Sequence, residues 1–338
     1  MAFVKRLVKF QIRADDLDTK INVLKERLDR LSFSEFPTQH AASQYDLGKL
    51  YLDRFKRDNH KQDLFEAEAA FKESWKINTL EAHPYEYAKI QLMMAMVYSH
   101  LAEFQEPDNY FDEAISMINN ALNIFDAKKF PKFYAKSEIT LGNIYRSLAE
   151  MRDRSTHISH AIDAYEKAAK IYKKEKESKE YTNIQLNLGA SYIILSKVKD
   201  KEKNLDKAFD AFQKALDLLS MDRDAFSYAK IQCDLGVIYM MLSQIRDEQK
   251  NLFKATLVFK VALKAFTIDD YPFEFATTQN NLGLVYLMLA QLQNQKENHQ
   301  KAIEAFESAL EVFNEKDYPS KHKKIISILK SLKQNINK

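Results

Sequence analysis

A tyrosine recurs every 47 residues along most of this chain, with no insertion or deletion in between. The series is Tyr51, Tyr98, Tyr145, Tyr192, Tyr239 and Tyr286. The five glycines of the chain each lie three residues before one of these tyrosines, and Ala95 fills the one gap in that second series. A fixed period of this length indicates stacked supersecondary units, none of which buries its apolar face alone.

Each period contains two amphipathic segments. In the unit that begins at residue 178, Leu188, Tyr192 and Leu195 recur at three- and four-residue spacing, and Ala208 and Phe212 continue the pattern in a second segment. Such spacing places apolar side chains on one face of an α-helix. With 5 glycines and 6 prolines in 338 residues, the chain has little of the turn chemistry that strands require. We therefore predict an all-α fold, an α-solenoid of helix-turn-helix repeats, with a helix A and a helix B in each unit.

The recurring glycines lie inside the predicted helix A, where glycine costs about 0.5–1 kcal/mol relative to alanine. Five units accept this cost at the same position, and the sixth has alanine there. We expect helix B to approach helix A so closely at this point that a Cβ atom does not fit.

Two expectations concern the ends of the helices. The apolar stripe of helix A continues to Val198, and that of helix B to Leu219 and its counterparts Phe266 and Phe313, which predicts that both helices extend through these residues. The polar segments 199–204 and 246–251 are predicted to form turns between helix A and helix B.

The repeat register divides the chain into a cap, six units and a final helix. Residues 1–36 are predicted to be a capping half-repeat, with a short helix over 2–12 and a helix B over 15–32. The six units are 37–83, 84–130, 131–177, 178–224, 225–271 and 272–318, and 319–338 form a C-terminal capping helix. Terminal units of repeat arrays are expected to be atypical.

The N-terminal segment also permits a second interpretation. Five of its apolar residues are spaced as in a heptad seam for dimerisation. They are Leu17, Ile21, Leu24, Leu28 and Leu31.

The recurring motif resembles that of the tetratricopeptide repeat family. The residues that carry the resemblance are L-G-x-x-Y, as in Leu188, Gly189 and Tyr192, followed by A-x-x-x-F, as in Ala208 and Phe212. The resemblance covers residues 37–318. The period of 47 is longer than the family's period of about 34 residues, so the chain looks like an extended variant.

The resemblance implies a right-handed superhelix whose concave side is lined by helix A and binds a peptide or helix of a partner protein. Three positions of each helix A are then expected to face inward. The predicted groove residues are Asn143, Arg146, Leu186, Ala190, Ile193, Cys233, Val237, Met240, Asn280, Leu284 and Leu287. The last three units supply an apolar lining that suits an amphipathic helix. Packing on neighbouring repeats, or self-association into a structural assembly, is the competing interpretation.

Catalytic, metal and nucleic-acid sites find little support in the sequence. Cys233 is the only cysteine, His157 and His160 have no further ligands at suitable spacing, and no glycine-rich phosphate loop is present. We predict no enzyme activity, metal or cofactor. RNA binding is an alternative that the lysine-rich ends permit, but the net charge of +3 and the apolar groove do not favour it. No apolar run reaches the ~18 residues of a membrane span, and we expect a cytoplasmic protein.

Overall fold

The computed structural model describes residues 17–105, 107–175 and 178–336, and these residues form α-helices joined by short turns, without a strand. The first helix, α1, is described over residues 17–30. The others are α2 (Pro37–Asp58), α3 (Lys61–Trp75), α4 (Pro84–Leu101), α5 (Pro107–Leu122), α6 (Pro131–Met151), α7 (Arg154–Glu175), α8 (Ser178–Ser196), α9 (Lys201–Leu216), α10 (Ala225–Ser243), α11 (Glu248–Ala262), α12 (Pro272–Leu292), α13 (Gln295–Leu310) and α14 (Pro319–Ile336). The predicted short helix of residues 2–12 lies outside the described residues.

The chain forms two compact units, Met1–Lys174 and Glu175–Lys338. In the N-terminal unit α2 packs against α3 and α4 against α5, and each hairpin contacts the next helix A. In the C-terminal unit the hairpins are α8 with α9, α10 with α11 and α12 with α13, and α14 packs on the last of them. The predicted all-α fold of consecutive helical hairpins is confirmed within each unit.

Each glycine of helix A faces an aromatic ring of the helix B that follows it. A Cβ atom at Gly236 would lie 2.5 Å from two ring carbons of Phe259, and the other four glycines have ring atoms within 2.6–2.8 Å of the same point. The pairs are Gly48–Phe71, Gly142–Tyr165, Gly189–Phe212, Gly236–Phe259 and Gly283–Phe306. In the unit with Ala95 the residue in the ring's place is Ile118. The predicted close approach is therefore made by a ring, and alanine is accepted where the ring is absent.

The turns between helix A and helix B are shorter than predicted. Residues 201–204 and 248–251 already belong to α9 and α11, so the prediction that segments 199–204 and 246–251 are turns is wrong for most of their length. The reversal is made by residues with positive φ that follow the 47-residue register: Asn59, Asp153, Asp200, Asp247 and Asn294. Asparagine and aspartate tolerate this left-handed conformation better than other non-glycine residues. A one-residue reversal of this kind leaves the neighbouring polar residues free to continue the helix.

The predicted extension of both helices is wrong at the residues named for it, although α2, α6, α7 and α12 do extend through the equivalent positions. Val198 lies two residues beyond the end of α8, and Leu219, Phe266 and Phe313 lie beyond the ends of α9, α11 and α13. Phe266 and Phe313 are nevertheless buried. Both residues lie in the turn that follows helix B, and their side chains pack against the hairpin and cover its end.

Helix α1 lies against the first hairpin. Ile21 is buried in the core of the N-terminal unit, and Leu24 and Leu28 pack against the same cluster. Asp18 accepts a hydrogen bond from Arg54 of α2 at 2.7 Å. Three residues of the proposed heptad seam are thus engaged within the chain.

Glu138 of α6 is a buried carboxylic acid where the register places glutamine in the other units. The glutamines at the equivalent positions are Gln44, Gln91, Gln185, Gln232 and Gln279. Burial raises the pKa of the Glu138 carboxyl, its Oε2 has no hydrogen-bond partner among the described residues, and Lys167 Nζ lies 3.6 Å from Oε1. An acid whose pKa is higher in the folded than in the unfolded chain reduces stability as the pH rises above its unfolded pKa of about 4.3.

We therefore expect Glu138→Gln to stabilise the N-terminal unit by about 1 kcal/mol at pH 7, and the gain to disappear below about pH 4, where the wild-type acid is protonated as well. Urea unfolding across this pH range measures the difference. Glu150→Gln, an exposed change on the same helix, is the control and should have little effect. A loss of stability at pH 7 would show that the contact with Lys167 outweighs the cost of burial.

Candidate functional site

Three helices A lie side by side in the C-terminal unit, since α8 contacts α10 and α10 contacts α12. The predicted groove residues on them recur at four- and three-residue spacing, which places them on one face of each helix. We call this set the groove row: Leu186, Ala190, Ile193, Cys233, Val237, Met240, Asn280, Leu284 and Leu287. All nine are half-buried. The row is thus neither enclosed in the core nor fully exposed to solvent.

The groove row is continuous with the core beneath it. Cys233, Val237 and Met240 of α10 pack against the buried cluster that α11, α12 and α13 form, as do Leu284 and Leu287. Side chains that pack against a core on one side have few alternative conformations, so the apolar surface that they form is well ordered. The row therefore has the properties of a preformed contact surface.

Cys233 is fixed in this row by its neighbour on the next helix. Its Sγ lies 3.0 Å from Thr278 Oγ1 of α12, within hydrogen-bond distance. Burial raises the pKa of the Cys233 thiol to about 11. The thiolate is the nucleophilic form of cysteine, so this residue is a packing group at neutral pH.

A pair of oppositely charged residues lies beside the groove row on α10. Lys230 Nζ lies 3.6 Å from Asp234 Oδ1, and burial raises the pKa of the Asp234 carboxyl while Lys230 opposes the shift. The two residues are one turn apart, and Asp234 directly follows Cys233 of the groove row. A ligand with an apolar face and a polar edge would meet complementary groups here.

The two predicted groove residues of the N-terminal unit have a different environment. Tyr165 of α7, the only ring opposite a glycine that carries a hydroxyl, donates a hydrogen bond to Asn143 Oδ1 at 2.6 Å. Arg146 is half-buried, and its Nε has no hydrogen-bond partner among the described residues. Asn143 is therefore engaged within its own hairpin. The motif A-x-x-x-F places phenylalanine at position 165, so it does not predict this hydroxyl.

Helix A also carries cations in the N-terminal unit. Burial lowers the pKa of Lys136 on α6, and the nearby charges of Lys56 and Lys49 on α2 lower it further. Lys49 is at the same register position as Val237 and Leu284 of the groove row. The N-terminal unit thus places some polar and basic side chains among apolar ones at the equivalent positions, whereas the groove row of the C-terminal unit is almost wholly apolar.

The comparison with protein families rests on the last full hairpin. A family model described as tetratricopeptide repeat matches residues 284–315, which include the second part of α12 and all of α13. Residues 284–315 thus form a tetratricopeptide repeat. Repeats of this type are typically protein-interaction scaffolds and are generally not enzymes. No curated protein sequence matches the chain.

Solved structures of helical-repeat proteins resemble this chain at low sequence identity. BtubC (BKLC) from P. vanneervenii is 20% identical over 74% of this chain and 89% of that chain, with a TM-score of 0.51. A Rap protein complexed with competence and sporulation factor is 13% identical over 98% and 86%, with a TM-score of 0.49. The apo form of the quorum sensor NprR from B. thuringiensis is 13% identical over 93% and 81%, with a TM-score of 0.47. The likeness to BtubC concerns the fold alone.

The two histidines of α7 pack on a tyrosine. The ring centroid of Tyr145 lies 6.0 Å from that of His157 and 5.0 Å from that of His160. Over the part of the chain that the structure describes, no group of three or more His, Cys, Asp or Glu side chains is arranged to hold a metal ion. In the same residues, no helix combines the length and the apolar character that crossing a membrane requires.

Proposed function

We propose that this tetratricopeptide-repeat protein is a non-enzymatic scaffold that binds an amphipathic helical segment of a partner protein along the groove row. The observation that supports the proposal is the composition of the row together with its exposure. Asn280 is its one polar residue, and the other side chains are apolar or the protonated thiol of Cys233, yet all of them remain half-exposed. A contiguous apolar patch that stays exposed on a folded protein commonly marks an interaction site.

The chemistry of the row favours a helix over an extended acidic peptide. No residue of the row is charged, and Met240 supplies a flexible, polarizable side chain that adapts to different apolar partners. An amphipathic helix buries an apolar stripe in such a surface and leaves its polar face in water. The pair Lys230 and Asp234 offers one contact of each charge beside the row.

Charge reversal in the row tests the proposal. In Val237→Glu/Leu284→Glu, two carboxylates would have to be buried against the partner's apolar stripe, which is costly without compensating partners. We expect capture of the partner from extracts of the native cell to fall at least about tenfold, equivalent to about 1.4 kcal/mol. Circular dichroism should show unchanged helicity.

The matched control is Phe253→Glu/Leu257→Glu, which adds the same charge on the outer face of α11, where these side chains are 45% and 64% exposed. Light scattering on the same proteins tests the competing interpretation, which is self-association. If the wild type is an oligomer and only the groove variant is a monomer, the row mediates self-association. Equal capture by the groove variant and the wild type would contradict the proposal.

A further inference from the structure

Residues 2–13 precede the described part of the chain and have a basic amphipathic pattern. Phe3, Leu7 and Phe10 recur at spacings of four and three residues, which is one stripe of a helix. Every charged residue of the segment is a cation, and in a helix all of them lie on one side, apart from this stripe. These cations are Lys5, Arg6, Lys9 and Arg13. The helix predicted over residues 2–12 therefore has an apolar face and a basic face.

The full units show what a helix B needs in order to hold a helix A. In the first of them the ring of Phe71 faces Gly48. Ala67 and Ser74, four residues before that ring and three after it, lie on the same face and are fully buried. In the other five units these two positions hold fully buried alanines. They are Ala114 and Ala121, Ala161 and Ala168, Ala208 and Ala215, Ala255 and Ala262, and Ala302 and Ala309.

Helix α1 does not have such a face. The same two positions of the register hold Lys20 and Arg27, whose side chains are exposed. Long side chains at these positions keep a second helix from approaching as closely as alanine allows. The segment 2–13 is thus not held on α1 in the way that the full units hold their helix A. A helix this short is marginal in water, so its apolar stripe needs another surface to pack on.

The groove row has the length that such a segment needs. It crosses three successive helices A, α8, α10 and α12. Helices that pack side by side lie about 8–10 Å apart, so the row extends over about 16–20 Å. At a rise of about 1.5 Å per residue, a helix over residues 2–12 is about 16 Å long. The apolar stripe of the segment therefore matches the apolar row in length.

The middle of the row also carries charges that complement a basic segment. Burial is the main cause of the raised pKa of the Cys233 thiol, and the carboxylates of Asp234 and Glu274 raise it further, which places both of them near Cys233. Lys230 is the cation that acts on the thiol in the opposite direction. Two carboxylates and one ammonium group give this part of the row a net negative charge, opposite to that of the segment.

The connection to α1 limits where the segment can bind. Residues 14–16 join it to α1, which is fixed on the first hairpin by Ile21 in the core and by the ion pair of Asp18 with Arg54. A connection of this length extends over at most about 14 Å. Within the N-terminal unit, α6 is already two helix-to-helix steps from α2, about 16–20 Å. The segment is thus held near the first hairpin, whereas the groove row belongs to the C-terminal unit.

We propose that residues 2–13 of one copy of this chain bind along the groove row of a second copy. This inference rests on the proposed function, because it requires that the row accepts an amphipathic helix. It adds that the row is occupied by the segment when no other partner is present, so another partner has to displace the segment. Self-association and partner capture then exclude each other.

The test uses two variants of the full chain, each of which damages one half of the contact. Leu7→Glu places a carboxylate in the apolar stripe of the segment and leaves the row intact, whereas Val237→Glu/Leu284→Glu does the reverse. In light scattering, the mass of the wild type should rise with concentration from that of one chain, 39.5 kDa, to that of at least two chains. Each variant alone should associate at least about tenfold more weakly.

A one-to-one mixture of the two variants should again form dimers, because the intact row of one variant meets the intact segment of the other. Val23→Glu is the matched control, since it adds the same charge at an apolar residue of α1 that is 59% exposed. It should associate as the wild type does. A synthetic peptide of residues 2–13 gives a measurement that needs no variant to fold. In excess, it should return the wild type to single chains.

A wild type that remains a single chain at about 100 μM, or a mixture of the two variants that does not associate, would overturn the proposal. Binding of the wild type to vesicles of phosphatidylcholine and phosphatidylserine without self-association would also overturn it, and would assign the segment to a membrane surface.

Capture of the partner from extracts of the native cell separates this proposal from the proposed function. Leu7→Glu should capture the partner at least as well as the wild type, because the competing segment no longer occupies the row. If the two variants do not associate but the groove variant still loses capture, only the self-association is wrong. If the groove variant captures as much as the wild type, the proposed function is wrong as well.

Discussion

Replacing Gly236 with alanine is expected to lower the free energy of unfolding by about 2 kcal/mol, although alanine is the better helix former. The new Cβ atom would lie 2.5 Å from two ring carbons of Phe259, which is fully buried. Overpacking of this kind costs about 1–3 kcal/mol. The upper part of that range applies because the ring has no space to move away, and alanine recovers at most about 1 kcal/mol through helix propensity.

The same substitution should become favourable once the ring is removed. Phe259→Ile reproduces the pair that the chain itself uses at Ala95 and Ile118, both fully buried. In that background Gly236→Ala is expected to raise stability by about 1 kcal/mol, so the effect of one methyl group changes sign. Urea unfolding of the four proteins of this double-mutant cycle measures the coupling. A loss of equal size in both backgrounds would show that the close contact involves the backbone of helix B and not the ring.

The sequence predicted a close approach of helix B because glycine recurs at one position of helix A, and the structure shows that Phe259, 23 residues after Gly236, makes the contact. The residues of the groove row were predicted from the resemblance to the repeat family. The exposure of the row could not be predicted. The exposed fraction of a side chain such as Val237 depends on how closely neighbouring helices A pack, and the sequence of one helix does not determine that distance.

The errors at the helix ends have a common physical origin. Apolar periodicity marks which side chains are buried, and Phe266 is buried although it lies in the turn after α11. The better signal was the recurrence of asparagine or aspartate at the residue with positive φ, as at Asp200 and Asp247. These polar residues, and not the ends of the apolar stripes, show where the chain reverses.

Replacing Arg54 with leucine is expected to destabilise the N-terminal unit by about 3 kcal/mol, because it leaves a buried carboxylate without its partner. Arg54 Nε donates to both carboxylate oxygens of Asp63 at 3.1 Å, and Asp63 is 2% exposed. The guanidinium also donates to Asp18 of α1 at 2.7 Å. One side chain thus connects α1, α2 and α3, and thermal and urea unfolding should both report its loss.

The other units supply the rescuing variant. Where the first unit has Arg54 and Asp63, they have a leucine and an asparagine: Leu195 with Asn204, Leu242 with Asn251 and Leu289 with Asn298. Each of these asparagines donates a hydrogen bond to the carbonyl oxygen five residues before it, at 2.7–2.8 Å. Arg54→Leu/Asp63→Asn should therefore recover stability to within about 1 kcal/mol of the wild type, since it removes the buried charge together with its partner.

The contribution of the cap is measured separately with Asp18→Asn. The Asp18 side chain is 50% exposed, so its ion pair with Arg54 should contribute less than about 1 kcal/mol. If Arg54→Leu/Asp63→Asn stays as unstable as Arg54→Leu, the cost cannot come from the unpaired carboxylate. Arg54 would then stabilise the unit mainly by holding α1 against α2, and Asp18→Asn should in that case reproduce most of the loss.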